Sequence, residues 1–480
     1  MMIRHGSRVR EVPTSIPAPV VATATLPVVF GTAPIHLAET QENVNQPVLA
    51  YSFAEFVKAF GYSDDWANYT LCEMADLAFR QFKVAPVVFV NVLDPTKHKT
   101  SKTESITIRN KKGMIETTGI LLKSLVVQNN ETKLKNDEDY MASFNEDGQV
   151  VLAIVKGNVT TVNVTYDYVT PNVITNNHII GGYDNASGKS TGLELLNNVF
   201  PKLGMVPGLV LAPKFSKDPT VAAVMKAKAS SINSYFKAQV LDDVNTRVAN
   251  TYTKVNKWKN TNNYTGHNEV VCWPLVGMGD KVYHLSSQIA CRIMKTAYDN
   301  GDFPHESPSN KSLQMTKLLV EQDNGYEEID LSPDQAELLN NQGITTAINF
   351  IGGWRAWGNY TGAYPGNTDV KDIFTPVRIT HNWLGNTIIL TTWSMVDGPI
   401  GPRLINRVLD TMGMWLNGLQ GQGVLIGGRV EFRKEDNPLT DLNSGKIRFR
   451  YLVAEPTPAQ DIDNILEFDV NYYNSLFITD

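Results

Sequence analysis

The sequence predicts a multidomain α/β protein: mixed sheets flanked by helices, an inserted all-β domain, and extended N- and C-terminal arms. Three observations carry this. Apolar, β-rich runs bounded by turn signals alternate with segments of helical period, the pattern of βαβ units with strands buried on both faces. Over 96–177 that text gives way to short alternating runs rich in Thr, Asn, Lys and Val, which read as a small all-β module. The two ends differ from both: 1–19 shows no helical period, and 466–472 alternates strictly. A length of 480 residues with 42% hydrophobic and 19% charged side chains suits two to four domains of about 100–200 residues each. It excludes a wholly disordered chain.

The other bulk properties narrow the function classes. A net charge of −6 supplies no basic stripe for nucleic acid. The three cysteines, Cys72, Cys272 and Cys291, are too few and too scattered for a disulfide framework or a Cys-based zinc site, and they suit a reducing compartment. No stretch reaches the roughly 20 consecutive apolar residues of a membrane helix. Arg4, Arg8 and Arg10 precede the apolar run 20–33, as in a signal peptide. Glu11, Pro13, Pro17 and Pro19 interrupt the approach to that run and Pro27 sits inside it, so 25–30 reads as a buried strand and the protein as one assembled in the cytoplasm.

Taken in order, 1–19 is an extended arm. Residues 20–95 form the first part of an α/β domain, with strands at 26–30 and 84–93 and helical spacing between 68 and 82. The inserted, outward-facing β domain follows over 96–177, with strands expected near 105–109, 119–127, 150–155 and 159–168. The α/β text resumes over 178–351: a helix at 191–200, a strand at 208–213, a helix at 219–235 and a strand at 236–241. Ser332-Pro333-Asp334-Gln335 marks a helix start, with Ser at the cap, Pro at the first position and Gln three residues on; Gly343 closes that helix. A third α/β region spans 352–464. Its helix at 402–416 places Leu404, Ile405, Val408, Leu409, Met412, Trp415 and Leu416 along one stripe and leaves Arg403, Asn406, Arg407 and Asp410 outside. The final arm, 465–480, reads as a strand with Leu466, Phe468, Val470 and Tyr472 on one side and Glu467, Asp469 and Asn471 on the other.

Motifs that suggest chemistry weaken on inspection. Gly182–Ser190 approaches a phosphate-binding loop, but five residues separate its glycines where four are needed, and Tyr183 stands where the first glycine belongs. Gly188-Lys189-Ser190-Thr191-Gly192 formally matches a nucleophile elbow. The residues before it read as a loop rather than a strand, and Ser190 or Thr191 as an N-cap. The eight histidines lie singly, without metal-site spacing. The glycines at 418, 421, 423, 427 and 428 follow a helix and precede a strand, the wrong order for a dinucleotide fingerprint. Trp354 and Trp357 read as packing residues. No catalytic, metal-binding or cofactor-binding set converges, and no cofactor is expected.

The chain also resembles the tail sheath proteins of contractile phages and phage-tail-like particles. The likeness runs through Gly181-Gly182-Tyr183-Asp184 to Thr191-Gly192-Leu193, 207–216, 286–310, 340–344 with Gly353-Trp354, 372–396, 421–428 and 454–468; 97–175 falls outside the shared text. Where the family usually has a Trp-Gly-Ala-Arg-Thr-like run, this chain reads Trp357-Gly358-Asn359-Tyr360-Thr361, so no role tied to that arginine carries over. The resemblance implies a non-enzymatic subunit of hexameric rings stacked around an inner tail tube, contracting to drive that tube through a bacterial envelope. It implies a virion or bacteriocin-like particle assembled in a host cytoplasm and released by lysis. The implied partners are copies of itself, the tube protein, and baseplate and tail terminator proteins, with no nucleic acid and no direct membrane insertion. It also implies that the 352–464 domain faces the tube, where Arg403 and Arg407, one turn apart, would meet acidic residues.

The residues supply a linkage of their own. A terminal strand with one apolar face needs a neighbouring sheet. The basic N-terminal arm, with Arg4, Arg8, Val9 and Arg10, complements Glu467 and Asp469 of the C-terminal one. Both arms are therefore expected to add strands to adjacent subunits. Such head-to-tail contacts do not close, and they generate helical polymers. Two other classes remain: an α/β enzyme using Lys189 or Ser190, and a non-contractile virion structural protein.

Overall fold

The computed structural model describes residues 18–186 and 188–477. Arg4, Arg8, Val9 and Arg10 lie outside the described residues.

The centre is an eight-stranded mixed sheet. Its order is Pro47–Ala50, Val87–Asn91, Pro27–Gly31, Leu209–Leu211, Gln239–Asp243, Glu269–Cys272, Ile344–Phe350 and Gly353–Trp357. The six inner strands run parallel, and the two edge strands pair antiparallel. Val87–Asn91 and Gln239–Asp243 are buried at every position, as strands covered on both faces are; the first is mostly apolar, whereas the second carries Gln239, Asp242 and Asp243 into the interior. The chain lays strands to one side of Pro27–Gly31 before it crosses and continues outward from Leu209–Leu211. That reversal is the topological switch point of a doubly wound sheet. Helix Leu285–Asp299 packs on the sheet with nearly all of its residues buried, and a second sheet of four antiparallel strands (Lys281–His284, Leu275–Met278, Lys317–Gln322, Gly325–Ile329) lies beside it.

Between Val87–Asn91 and Leu209–Leu211 the chain makes seven short strands in two antiparallel sheets, from Lys99–Thr107 to Thr161–Val169. Ile115, Val127, Val150, Leu152, Val162 and Val164 fill a hydrophobic core separate from the main one. The two crossings into this module are tied together where the Thr170 amide donates to the His98 carbonyl at 3.0 Å.

Several elements differ from their sequence reading. The 68–82 helix is α-helical over Thr70–Ala75 and π-helical over Asp76–Phe82, a widened turn whose Asp76 carboxylate accepts from Tyr283 Oη at 2.9 Å. The 191–200 helix is a 3₁₀ segment, Gly192–Asn198, followed by a separate turn, Val199–Leu203; Pro201 has no amide to continue the first. The 219–235 helix ends at Ala229, because Asn233 and Ser234 turn the chain with φ of 52° and 67°. The cap at Ser332 forms as read: Ser332 Oγ accepts from the Gln335 amide, and Gln335 Oε1 accepts from the Ser332 amide. The terminal arm differs most. Within the single chain, Leu466, Glu467, Phe468 and Asp469 belong to no strand, and Val470 and Tyr472 lie in a 3₁₀ helix, Val470–Phe477. A strand with no neighbour leaves its amides unpaired, so the isolated tail closes local turns instead.

Candidate assembly interface

Residues 375–477 hold two long helices, a two-stranded sheet and an exposed tail. Helix Thr375–Trp393 starts with Pro376 in its first turn and is buried along most of its length. One stripe of it, Trp383, Thr387 and Thr391 at successive i, i+4 positions, holds the N-terminal segment. Trp383 Nε1 donates to the Ala22 carbonyl at 2.9 Å, and the Ala22 amide donates to Thr387 Oγ1 at 3.1 Å. The Val20 amide donates to Thr391 Oγ1 at 3.1 Å. Helix side chains thus stand in for the neighbouring strand that an extended segment needs. This strap was not read from the sequence; its only signal is the spacing of Trp383, Thr387 and Thr391.

Helix Pro402–Gly421 runs longer than expected and buries Val408, Thr411, Met412, Leu416 and Leu419. Arg403 and Arg407 are exposed on its outer face, as are Asn406 and Asp410. The glycines that follow turn the chain, Gly423 with φ of 76°, into strand Gly427–Glu431. Among the described residues that strand pairs with Arg450–Ala454 alone, in a two-stranded antiparallel sheet. So small a sheet is marginal by itself; here it rests on the helix, with Leu416 side-chain atoms 3.3 Å from where a Gly428 Cβ would sit. Arginines line it, each held by an acid. Arg450 grips Asp436 through two bonds, Nε at 2.8 Å and Nη2 at 2.5 Å, and Arg429 Nε donates to Glu431 at 2.6 Å. These guanidinium contacts hold the Asp436 and Glu431 carboxyls below the usual range.

The tail departs from this sheet at Glu455, whose Oε1 lies 2.8 Å from His381 Nδ1. Beyond it, among the described residues, no backbone hydrogen bond ties 456–468 to the body. Leu466 is 98% exposed, Phe468 75% and Tyr472 77%, and Ile462, Ile465, Val470 and Leu476 are exposed as well. A contiguous set of large apolar side chains in water marks a contact surface. From 455 onward the sequence holds Glu455, Asp461, Asp463, Glu467, Asp469 and Asp480 and no Lys or Arg.

The stretches that suggested chemistry are engaged otherwise. Gly182–Asp184 and Lys189–Thr191 form a hairpin that sets Tyr183 opposite Ser190. The Ala186 amide donates to Asp184 Oδ1 at 3.0 Å and the Gly188 amide to the Asp184 carbonyl at 2.8 Å. Loop amides that a phosphate would need are spent on an acidic residue of the loop itself. Thr191 stands at the N-cap of the 3₁₀ segment Gly192–Asn198, as read from the sequence, but its Oγ1 donates to the Gly182 carbonyl and makes no capping bond. Near the switch point, a crevice of about 380 Å³ includes Asp64, Glu73, Lys214, Lys217, Lys281 and His284. Its charges face one another: Lys281 meets Asp64 at 3.0 Å, Lys217 meets Glu321 at 3.0 Å, and His284 meets Glu73 at 2.8 Å. Burial alone would lower the His284 pKa, but the Glu73 carboxylate beside it raises it. Trp354 packs against the main core, and Trp357 pairs across the sheet edge with Thr346.

Comparison with known proteins covers the whole chain. It is 27% identical over 488 aligned positions to a tail sheath protein of Burkholderia phage BcepMu, spanning 98% of each chain. It is 28% identical to the major tail sheath protein of Serratia phage KSP20 over 62% of this chain and 72% of that one. No family model matches. In fold it resembles a chain from the cryo-EM structure of the anti-feeding prophage baseplate (TM-score 0.57, 16% identity, 98% of this chain and 100% of that one). It equally resembles a chain of the contracted PVC sheath complex of an extracellular contractile injection system (TM-score 0.57, 14% identity, 98% and 99%).

Proposed function

We propose that this chain, a tail sheath structural protein of the contractile injection kind, polymerises as stacked hexameric rings around an inner tail tube and contracts to drive that tube through a bacterial envelope. The observation that carries the linkage is the pairing of a marginal two-stranded sheet (Gly427–Glu431 and Arg450–Ala454) with an exposed apolar tail beside it. An added strand from a second copy would complete the one and cover the other. In that bound state 466–472 becomes the strand that the isolated chain cannot keep. The acidic tail meets an arginine-bearing sheet, and the basic N-terminal arm, through Arg4, Arg8, Val9 and Arg10, supports a second strand alongside Glu467 and Asp469. Because donor and acceptor surfaces differ, the contact propagates rather than closing.

Contraction is then a change between two packings of one rigid subunit, with the linking strands kept as hinges. Packings of one sequence differ by only a few kcal/mol, and the sum over many rings supplies the work. The extended state is withheld kinetically. The 352–464 domain faces the tube, and exposed Arg403 and Arg407 meet acidic groups there. Baseplate and terminator proteins close the two ends, the inserted β module faces outward, and the particle is built in a host cytoplasm and released by lysis.

Electron microscopy of the purified full chain, alone and with a truncation lacking 466–480, tests the proposal. Wide hollow cylinders from the full chain and folded monomers from the truncation are expected. Cylinders of the same order from the truncation refute the tail's role. A full chain that stays monomeric with an assembled tube present refutes the sheath reading.

A further inference from the structure

The β module joins the body through two crossings, and a histidine sits on each. The rings of His98 and His178 meet edge to face with centroids 4.9 Å apart. Each is held the same way: the Asp94 amide donates to His98 Nδ1 at 3.0 Å, and the Thr175 amide donates to His178 Nδ1 at 3.0 Å. A backbone N–H can only donate, so each Nδ1 accepts through its lone pair and the ring proton sits on Nε2; Thr175 Oγ1 also lies 3.0 Å from His178 Nδ1. The first bond closes the turn that enters the module. The second caps helix Asn176–Ile180, where the chain returns. A cavity of about 490 Å³ borders the pair, and the other ionisable groups lining it are Asp94 and Lys97 of the entering turn and Tyr183 and Asp184 of the Gly182–Asp184 strand.

We propose that the two histidines form an acid-operated hinge for the β module. A proton taken from solvent onto an Nδ1 occupies the lone pair that its own backbone amide uses, so that bond is lost and the neck loosens there. The other ties stay: the Lys97 and His98 amides still reach the Asp94 carbonyl, and Leu121 and Val169 keep the module packed on the main core. The module's own core is separate, so the module stays folded while the neck loosens. The direction of titration agrees. Burial first, then His178, push the His98 pKa below the ordinary imidazole value; Asp94 pulls the other way and Lys97 adds to the depression. A base depressed in the folded state stabilises that state above its ordinary value of about 6.5 and loses the contribution as pH falls below it. The hinge does not depend on the assembly reading and operates in a single subunit.

Hydrogen exchange of the full chain, corrected for the chemical pH dependence of exchange, reads the hinge directly. Between pH 7.5 and 5, protection of the peptides containing Asp94 and Thr175 should fall about tenfold or more. Peptides of the module core, such as those over 150–154 and 161–169, should hold their protection. The double variant His98→Asn, His178→Asn places an amide oxygen near each Nδ1 position, keeping an acceptor that does not titrate. It should retain neck protection at both pH values. The proposal is overturned if the wild-type neck peptides show no pH-dependent loss, if the module core loosens to the same extent, or if the double variant responds to acid as the wild type does. Should the double variant fail to fold, His178→Asn alone is expected to remove the Thr175 response while leaving that of Asp94.

Discussion

Phe468→Ala puts the assembly proposal under a quantitative strain. In the single chain Phe468 is 75% exposed and touches only its own tail, with its ring 6.1 Å from that of Tyr473, so the substitution removes little from the folded subunit. If the tail is buried in a neighbour, the loss falls on assembly. An aromatic side chain buries about 150–250 Å², and at about 25 cal/mol per Å², less what alanine still buries, the difference is about 2–3 kcal/mol. That corresponds to an increase of about 30- to 150-fold in the critical concentration for polymerisation, read by sedimentation of assembled material across a dilution series. Alanine substitutions at Leu466, Val470 and Tyr472 should follow it, while Glu467→Gln and Asn471→Ala should shift the value by less than about threefold. An unchanged critical concentration for Phe468→Ala refutes burial of the tail. A sensitivity pattern of period three refutes strand addition, since it would mean that the tail docks in the 3₁₀ form it has alone.

Three further outcomes follow from the interior. Glu73→Gln removes the charge that raises His284. Stabilisation of that kind is complete below the ordinary imidazole value and is lost as pH rises through the raised one, so the wild type should exceed the variant by about 1.5–3 kcal/mol near pH 6 and by less near pH 9 in denaturant unfolding. Asp242 is fully buried against Glu269, and burial first, then that neighbour, raise its pKa. The folded pair keeps a proton that the unfolded chain gives up above about pH 4, so stability from this site declines with rising pH, and Asp242→Asn, which retains a donor, should flatten that slope. Thr387→Val with Thr391→Val removes both acceptors of the N-terminal strap and should weaken it by about 1–3 kcal/mol, seen as faster proteolysis near residue 20 with the overall unfolding midpoint little changed.

What was legible from sequence was what the chain decides locally. Val87–Asn91 reads as a buried strand because Val87–Val90 are apolar without interruption. The Ser332 cap reads because its donor and acceptor lie three residues apart. The β module reads because its strands alternate and its turns carry Gly, Asn and Asp. Illegible were the parts settled elsewhere. Thr387 and Thr391 are unremarkable helix residues until Val20 and Ala22 arrive from more than 360 residues away. Strands of three residues, as in Gly182–Asp184 and Lys189–Thr191, hold too little period to separate from a loop. The tail at 466–472 carries an alternation that finds no partner strand among the described residues, so its period alone could not show the form it takes in the single chain.

The location of paired and unpaired capacity ties these points together. Doubly wound sheets bind ligands at the carboxyl ends of their strands, at the switch point, where free amides and charges converge. Here those ends are filled from within: Asp243 accepts from Ser286 Oγ at 2.6 Å and from the Ser286 amide at 3.1 Å. Glu73 takes both the amide and the ring of His284, at 2.8 Å each, and Asp76 takes Tyr283. A satisfied buried network of this kind rigidifies its core. Inside, some groups stay unpaired, the Asp242 carboxylate among them; at the margins a two-stranded sheet and an apolar tail leave a contact surface open. Under the proposed sheath reading, work is borne at contacts between copies rather than in the interior, so a stiff centre with bonding edges suits a subunit that changes its neighbours' packing without changing its own fold.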